Sequence, residues 1–134
     1  MRRPVVATGF TLLGRPTVTL RLRATGAAGQ LDTRLWDVDP AAARRVLVTR
    51  GAYRMNPGQR GEVVLQLDGN GYRFAPGHQV ELELTGRDPS TLRPSNGAFS
   101  VAISRIAVEL PVHERPSRAR GILRPRFAVN PALR

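Results

Sequence analysis

The strongest constraint in this chain is a two-residue alternation of apolar and polar side chains that recurs along its length. In Thr17–Ala24, Val18, Leu20, Leu22 and Ala24 fall on one face, and Thr17, Thr19, Arg21 and Arg23 on the other. Successive strand side chains point to opposite faces, so this period describes a half-buried strand and excludes an amphipathic helix. Gln79–Thr85 repeats it with Val80, Leu82 and Leu84 inside, and Glu62–Leu67 with Val63, Leu65 and Leu67. Leu31–Val38 and Arg45–Arg50 are two further strands. Phe99–Leu110 is the longest apolar run, and its phase slips. Phe99, Val101 and Ile103 alternate, then Ile106, Val108 and Leu110 do, which predicts a bulge or bend near Ser104-Arg105.

Turn chemistry separates these runs. Gly26–Gly29, Asn56-Pro57-Gly58 and Pro76-Gly77 are expected turns, and Asp68-Gly69-Asn70-Gly71 is expected to close a hairpin between Leu67 and Tyr72. Only Ala41–Arg45 has helix-forming composition, and it is about one turn long. Many short strands without helical crossovers predict an all-β, antiparallel β-sandwich or jelly roll. At 134 residues the chain is one domain's worth of sequence, long enough for a core without staples. From Glu114 the alternation stops and Arg and Pro rise. Residues 1–113 therefore read as the sandwich, and residues 114–134 as a basic tail or docking extension with Ile122, Leu123, Phe127 and Val129 as anchors.

Composition removes several chemistries. There is no cysteine, which excludes a disulfide framework, a thiolate metal site and a cysteine nucleophile. His78 and His113 are the only histidines, which argues against zinc; no cofactor or metal is expected. No apolar run reaches membrane-span length, and the basic start Met1–Pro4 is followed by too short an apolar stretch for an expected signal peptide. Compartment is left open. The formal charge is +11, carried by 21 arginines against 10 acids. Residues 111–134 hold six Arg and one Glu, so almost half the excess sits there. A basic tail can bind phosphate backbones or an acidic surface. With aromatics at 5% there is little to stack bases on, so nucleic acid is not the expected partner.

The catalytic candidates are few. None of Ser90, Ser95, Ser100, Ser104 and Ser117 lies in G-x-S-x-G, so no serine triad is expected within this chain. Asp37 and Asp39 fall on one side of an extended segment. Such a pair could bind calcium or do acid–base work, but no further oxygen ligands are evident, and capping a strand end and turn is the expected role. Trp36 alternates with Arg34 and Val38 and is expected in the core, with a ligand platform as the alternative. Tyr53 and Tyr72 read as strand-end residues able to face a cleft. His78 is expected to fix the corner that follows Pro76-Gly77.

Taken in order, several stretches resemble one domain family: Gly14–Leu20, Thr33–Pro40 with Leu-Trp-Asp-Val-Asp-Pro, Val48–Arg54 with Thr-Arg-Gly, Tyr72–His78 with Pro-Gly-His, Glu81–Gly86, Pro94–Asn96, and Leu110–Val112. They resemble the C-terminal domain of X-Pro dipeptidyl-peptidases, which also ends cocaine-esterase-type α/β-hydrolases, over about residues 9–113. The resemblance implies a jelly-roll β-sandwich of the galactose-binding-domain-like kind. It also implies that the catalytic Ser, Asp and His belong to a preceding α/β-hydrolase domain, the expected partner. No catalytic residue carries over. The structural positions that do are Trp36, Asp37, Asp39, Gly77, His78 and Asn96. The expected role is to pack on and shape a hydrolase site supplied elsewhere. The rival is a free-standing carbohydrate- or ligand-binding module, which requires Trp36, Tyr53 and Tyr72 to be exposed and clustered.

Overall fold

The computed structural model describes Val6, residues 8–87 and residues 97–114. Asn96 and the expected anchors Ile122, Leu123, Phe127 and Val129 lie outside the described residues. Among the described residues eight strands run in chain order: β1 (Phe10–Gly14), β2 (Thr17–Gly26), β3 (Gly29–Asp39), β4 (Arg44–Met55), β5 (Arg60–Gln66), β6 (Asn70–Phe74), β7 (Gln79–Thr85) and β8 (Phe99–Glu109). All pairings are antiparallel. They form sheets β5-β2-β8 and β4-β3-β7 and a ribbon β1-β6. Among the described residues no helix is long and apolar enough to cross a membrane.

The alternation dictates what is buried. Val18, Leu20, Leu22 and Ala24 of β2, Val63 and Leu65 of β5, and Val80, Leu82 and Leu84 of β7 are all buried. They join Leu31 and Leu35 of β3 in one hydrophobic cluster. Two antiparallel sheets thus share a core between their inner faces, the arrangement of a β-sandwich. A one-residue slip of β2 would turn Val18, Leu20 and Leu22 outward, at roughly 1.5–3 kcal/mol each, so the register is fixed by burial.

The predicted slip in β8 is a bulge. Arg21 pairs with Arg105 and the next residue, Leu22, pairs with Ile103, which leaves Ser104 as the extra residue. Its hydroxyl donates to the Arg21 carbonyl at 3.4 Å. A second bulge, in β4, skips Val48 between Leu35↔Thr49 and Trp36↔Leu47. The Ala41–Arg45 segment is not helical: a turn through Ala43 joins β3 to β4, and Arg44 and Arg45 already belong to β4.

The hairpin expected at Asp68–Gly71 does not form. β5 pairs with β2, whereas β6 pairs with β1. The β2–β5 ladder ends at Thr17↔Gln66 and the β1–β6 ladder resumes at Gly14↔Asn70, so Arg15-Pro16 faces Leu67–Gly69 across a bend. The Leu67 N–H still donates to the Pro16 carbonyl at 2.9 Å. A third segment turns with them: Leu13 N–H donates to Pro111 O, and His113 N–H to Thr11 O. This is a corner where strands pass from one sheet toward the other.

The corner is set by β4. Asp68 N–H donates to Arg50 O at 2.8 Å, Thr49 Oγ1 to Asp68 O at 2.6 Å, and Asn70 Nδ2 to Val48 O at 2.6 Å. Gly51 permits the approach, because a Cβ there would lie 3.0 Å from both Gln66 O and Leu67 Cδ2.

Candidate functional site

The end of β3 and the start of β7 are neighbours because Asp37 pairs with Val80 and Val38 with Gln79. That register brings His78 against the carboxylates of β3. Gly77 makes the preceding turn with φ of +84°, a conformation open to glycine. His78 N–H donates to Ala75 O, its carbonyl accepts from Val6 N–H, and Gly77 N–H donates to Val6 O. The backbone that carries the imidazole is thus fixed from both sides.

Asp37 shares the inner face with Val80 and is 4% exposed. A buried carboxylate needs donors. It receives two. Tyr72 Oη donates to Oδ2 at 2.7 Å, and His78 Nδ1 lies 3.0 Å from both oxygens. A carboxylate only accepts, so Nδ1 carries a proton. His78 Nε2 points to Asp39 Oδ2 at 3.7 Å. Asp39 in turn accepts from Ala41 N–H at 3.0 Å and Ala42 N–H at 3.1 Å. The Ala42 amide bond leads the causes that hold its carboxyl below the ordinary range. Burial, then the bond to Asp37, pushes the Tyr72 phenol up to about 12.

A His–Asp pair orients an imidazole as in general-base catalysis, but such a base needs a nucleophile at its other nitrogen. Here that nitrogen faces Asp39. The serines among the described residues, Ser100 and Ser104, lie on β8; Ser100 Oγ is bonded to Thr25 Oγ1 at 2.6 Å. Among the described residues no group of three or more His, Asp or Glu is disposed to hold a metal. The cluster therefore works as a staple: it ties the β3–β4 turn, β6 and the β6–β7 turn together. Asp39 accepts from the β3–β4 turn amides, and His78 is bonded at its corner through its side chain as well as its backbone.

Trp36 is not in the core. It is half-buried on the outer face of β4-β3-β7, where Glu81 pairs with it and Glu83 with Arg34. Its Nε1 donates to Glu83 Oε2 at 2.8 Å, and the Arg45 guanidinium lies 3.8 Å from its ring centroid. Parity explains the difference: Leu35, not Trp36, shares the face of Leu31. Tyr53 pairs with Leu31 on the inner side and accepts from Gln59 Nε2 at 2.8 Å. Tyr72 is the central residue of β6, and its ring packs edge-on to Phe74. The three aromatics thus fall on two faces and different ends, each polar atom already bonded within the chain. They do not form the single platform that a ligand-binding reading requires.

A family model described as X-Pro dipeptidyl-peptidase C-terminal non-catalytic domain matches residues 4–105. The chain belongs to that family. No curated protein matches it. As a member of this non-catalytic family the chain gives its motifs physical tasks. Leu-Trp-Asp-Val-Asp-Pro supplies one core leucine, the outer-face tryptophan and both staple carboxylates. Thr-Arg-Gly carries the β4 atoms that hold the corner. Pro-Gly-His presents the imidazole. Leu110-Pro111-Val112 lies beyond the matched residues, yet its backbone bonds β1. The sequence pattern did not reveal the Tyr72–Asp37 bond or a second tie at Glu114. That carboxylate accepts from Thr11 N–H at 2.8 Å and from Arg73 Nη1 at 2.9 Å. Those partners are 103 and 41 residues distant in the chain, beyond the reach of local pattern.

Proposed function

We propose that this chain is a jelly-roll, galactose-binding-like β-sandwich that packs on an α/β-hydrolase domain and shapes its active site. The hydrolase would be of the X-Pro dipeptidyl-peptidase or acyl-esterase type, on the same polypeptide or another chain. The observation that carries this reading is the match to a non-catalytic domain family over residues 4–105. Two features support it. Among the described residues the His78–Asp37 pair has no nucleophile beside it, which suits a domain whose chemistry is supplied by a partner. The inward side chains of β8 are also incompletely covered. Val101, Ile103, Ile106, Val108 and Leu110 pack against the core yet remain half-buried, while their β2 neighbours are closed off. An edge strand with such a strip suits a partner that completes the apolar contact and excludes water. The sandwich would extend one residue past 113, because Glu114 is tied to β1, with the Arg/Pro-rich segment as its extension.

The test is capture of the protein from its own cells with an antibody to this domain, followed by a fluorophosphonate label for active serines. The expected result is a labelled hydrolase, either in one species well above 14.7 kDa or co-captured with this chain. A species of the chain's own mass with no labelled partner would reject the reading.

A further inference from the structure

The two outer sheet faces treat arginine differently. On β4-β3-β7 Arg34 also pairs directly with Arg50, but its guanidinium lies 3.5 Å from Glu83, and that of Arg45 lies 3.1 Å from Glu81 and 3.4 Å from Glu83. On β5-β2-β8 they meet one another. Arg21 pairs directly with Arg105 on one side and Glu62 on the other, and Arg23 pairs directly with Arg60. Arg21, Arg23, Arg60 and Arg105 are all exposed. Among the described residues none of the four makes an ion pair. Like charges directly opposite each other destabilise a sheet. The fold therefore gathers four arginines without an ion pair on one face, whereas Arg34 and Arg45 of the other face have carboxylate partners.

That face is suited to carboxylates on a protein. Arginine's planar fork binds them in bidentate fashion, and arginine is enriched at protein interfaces. The adjoining row is Val64–Thr19–Ala107, with Val64 56% exposed, so an uncharged band borders the cations. Among the described residues no aromatic side chain shares this face, and Glu62 and Glu109 interrupt it, which disfavours both base stacking and a phosphate backbone.

We propose that the outer face of β5-β2-β8 docks an acidic protein surface through Arg21, Arg23, Arg60 and Arg105. On the reading above, which this inference extends, that surface belongs to the hydrolase partner. The four guanidinium groups supply the charge and the Val64 row the dry contact.

The test compares three forms of the 134-residue chain: the natural sequence, a face variant (Arg21→Gln, Arg23→Gln, Arg60→Gln, Arg105→Gln) and a tail variant (Arg118→Gln, Arg120→Gln, Arg124→Gln, Arg126→Gln). Each is titrated by fluorescence anisotropy with labelled poly-L-glutamate and with a short DNA duplex at several salt concentrations. The expected result is that the face variant binds poly-L-glutamate about tenfold more weakly and with a shallower salt dependence, whereas the tail variant changes less. Loss confined to the tail variant would overturn the proposal. Tighter binding of the duplex than of poly-L-glutamate through the same face would overturn it in favour of nucleic acid. Thermal melts check that the variants are folded, and Arg105→Gln alone repeats the comparison with one exposed change. If no hydrolase is captured from cells but the face variant still loses affinity, the hydrolase reading falls and the docking face stands.

Discussion

Asp37 is the residue on which the staple depends. It sits on the inner face, and its charge is tolerable because Tyr72 and His78 both donate to it. Removing one donor leaves a buried carboxylate underpaired, and a bond to a charged group contributes about 1.5–3 kcal/mol. Tyr72→Phe should therefore lower the unfolding free energy by that order, read as an earlier midpoint in denaturant, even though the ring packing is kept. An unchanged midpoint would show that the bond contributes nothing net. The same contact has an alkaline signature. The Tyr72 phenol titrates at about 12 in the folded chain against an ordinary 10.0. The folded state holds this proton more tightly, so the stabilisation is complete below pH 10 and is lost as pH rises toward 12. Stability measured across that window should fall less steeply in Tyr72→Phe than in the natural chain. Sequence alone placed Asp37 and His78 at a strand end and a corner. It could not join them, because their contact depends on the β3–β7 register, 41 residues apart in the chain.

At the scale of elements, alternation was enough to find the inward side chains of β2, β5 and β7 and the bulge in β8. It failed where local chemistry has two outcomes. Asp68-Gly69-Asn70-Gly71 bends the chain in either a hairpin or a sheet-to-sheet corner, and the choice is made by three hydrogen bonds from β4. The bulge makes a sharp prediction. Deleting Ser104 leaves Val101, Ile103, Ile106, Val108 and Leu110 in unbroken alternation, so β8 should re-pair with β2 at little cost. Deleting Ala107 instead reverses the half-buried Val108 and Leu110, forfeiting roughly 1.5–3 kcal/mol of burial between them. Equal losses in the two thermal melts would refute this account of the slip. The β1 clasp is sensitive to acid. The Thr11 amide bond is the main cause that lowers the Glu114 carboxyl from 4.5 to about 2. A lowered acid stabilises above its unfolded value, so the clasp should weaken as pH falls from 4.5 to 2. Protection of the Thr11 amide from hydrogen exchange should drop across that range, and Glu114→Ala, which removes the acceptor, should show low protection at every pH.

The whole molecule carries +11, and the balance between its attractions and repulsions has a measurable sign. Salt weakens both. The pairs of Arg45 with Glu81 and Glu83, and of Arg73 with Glu114, would lose strength as ionic strength rises. They are partly exposed, and such pairs typically contribute about 0–1 kcal/mol. Against them stand directly opposed arginines, two pairs on β5-β2-β8 and Arg34 with Arg50 on the other sheet, each costing about 0.2–1 kcal/mol, and a net charge that repels itself at longer range. The screening distance shrinks from about 30 Å at 0.01 M salt to about 10 Å at 0.1 M, which removes the long-range repulsion before it affects contacts of 3–4 Å. The isolated domain should therefore melt at higher temperature as NaCl rises from low to moderate concentration. Arg105→Glu should raise the midpoint at low salt by a few degrees, roughly the shift that 1 kcal/mol or less produces in a domain near this size. It should also flatten the salt dependence, since it replaces one repulsion with an attraction to Arg21. A midpoint that falls with salt would mean that the ion pairs of the other face outweigh the arginine face. A partner that neutralises this face should make the same substitution unfavourable in the complex, so that a change stabilising the free domain weakens its docking.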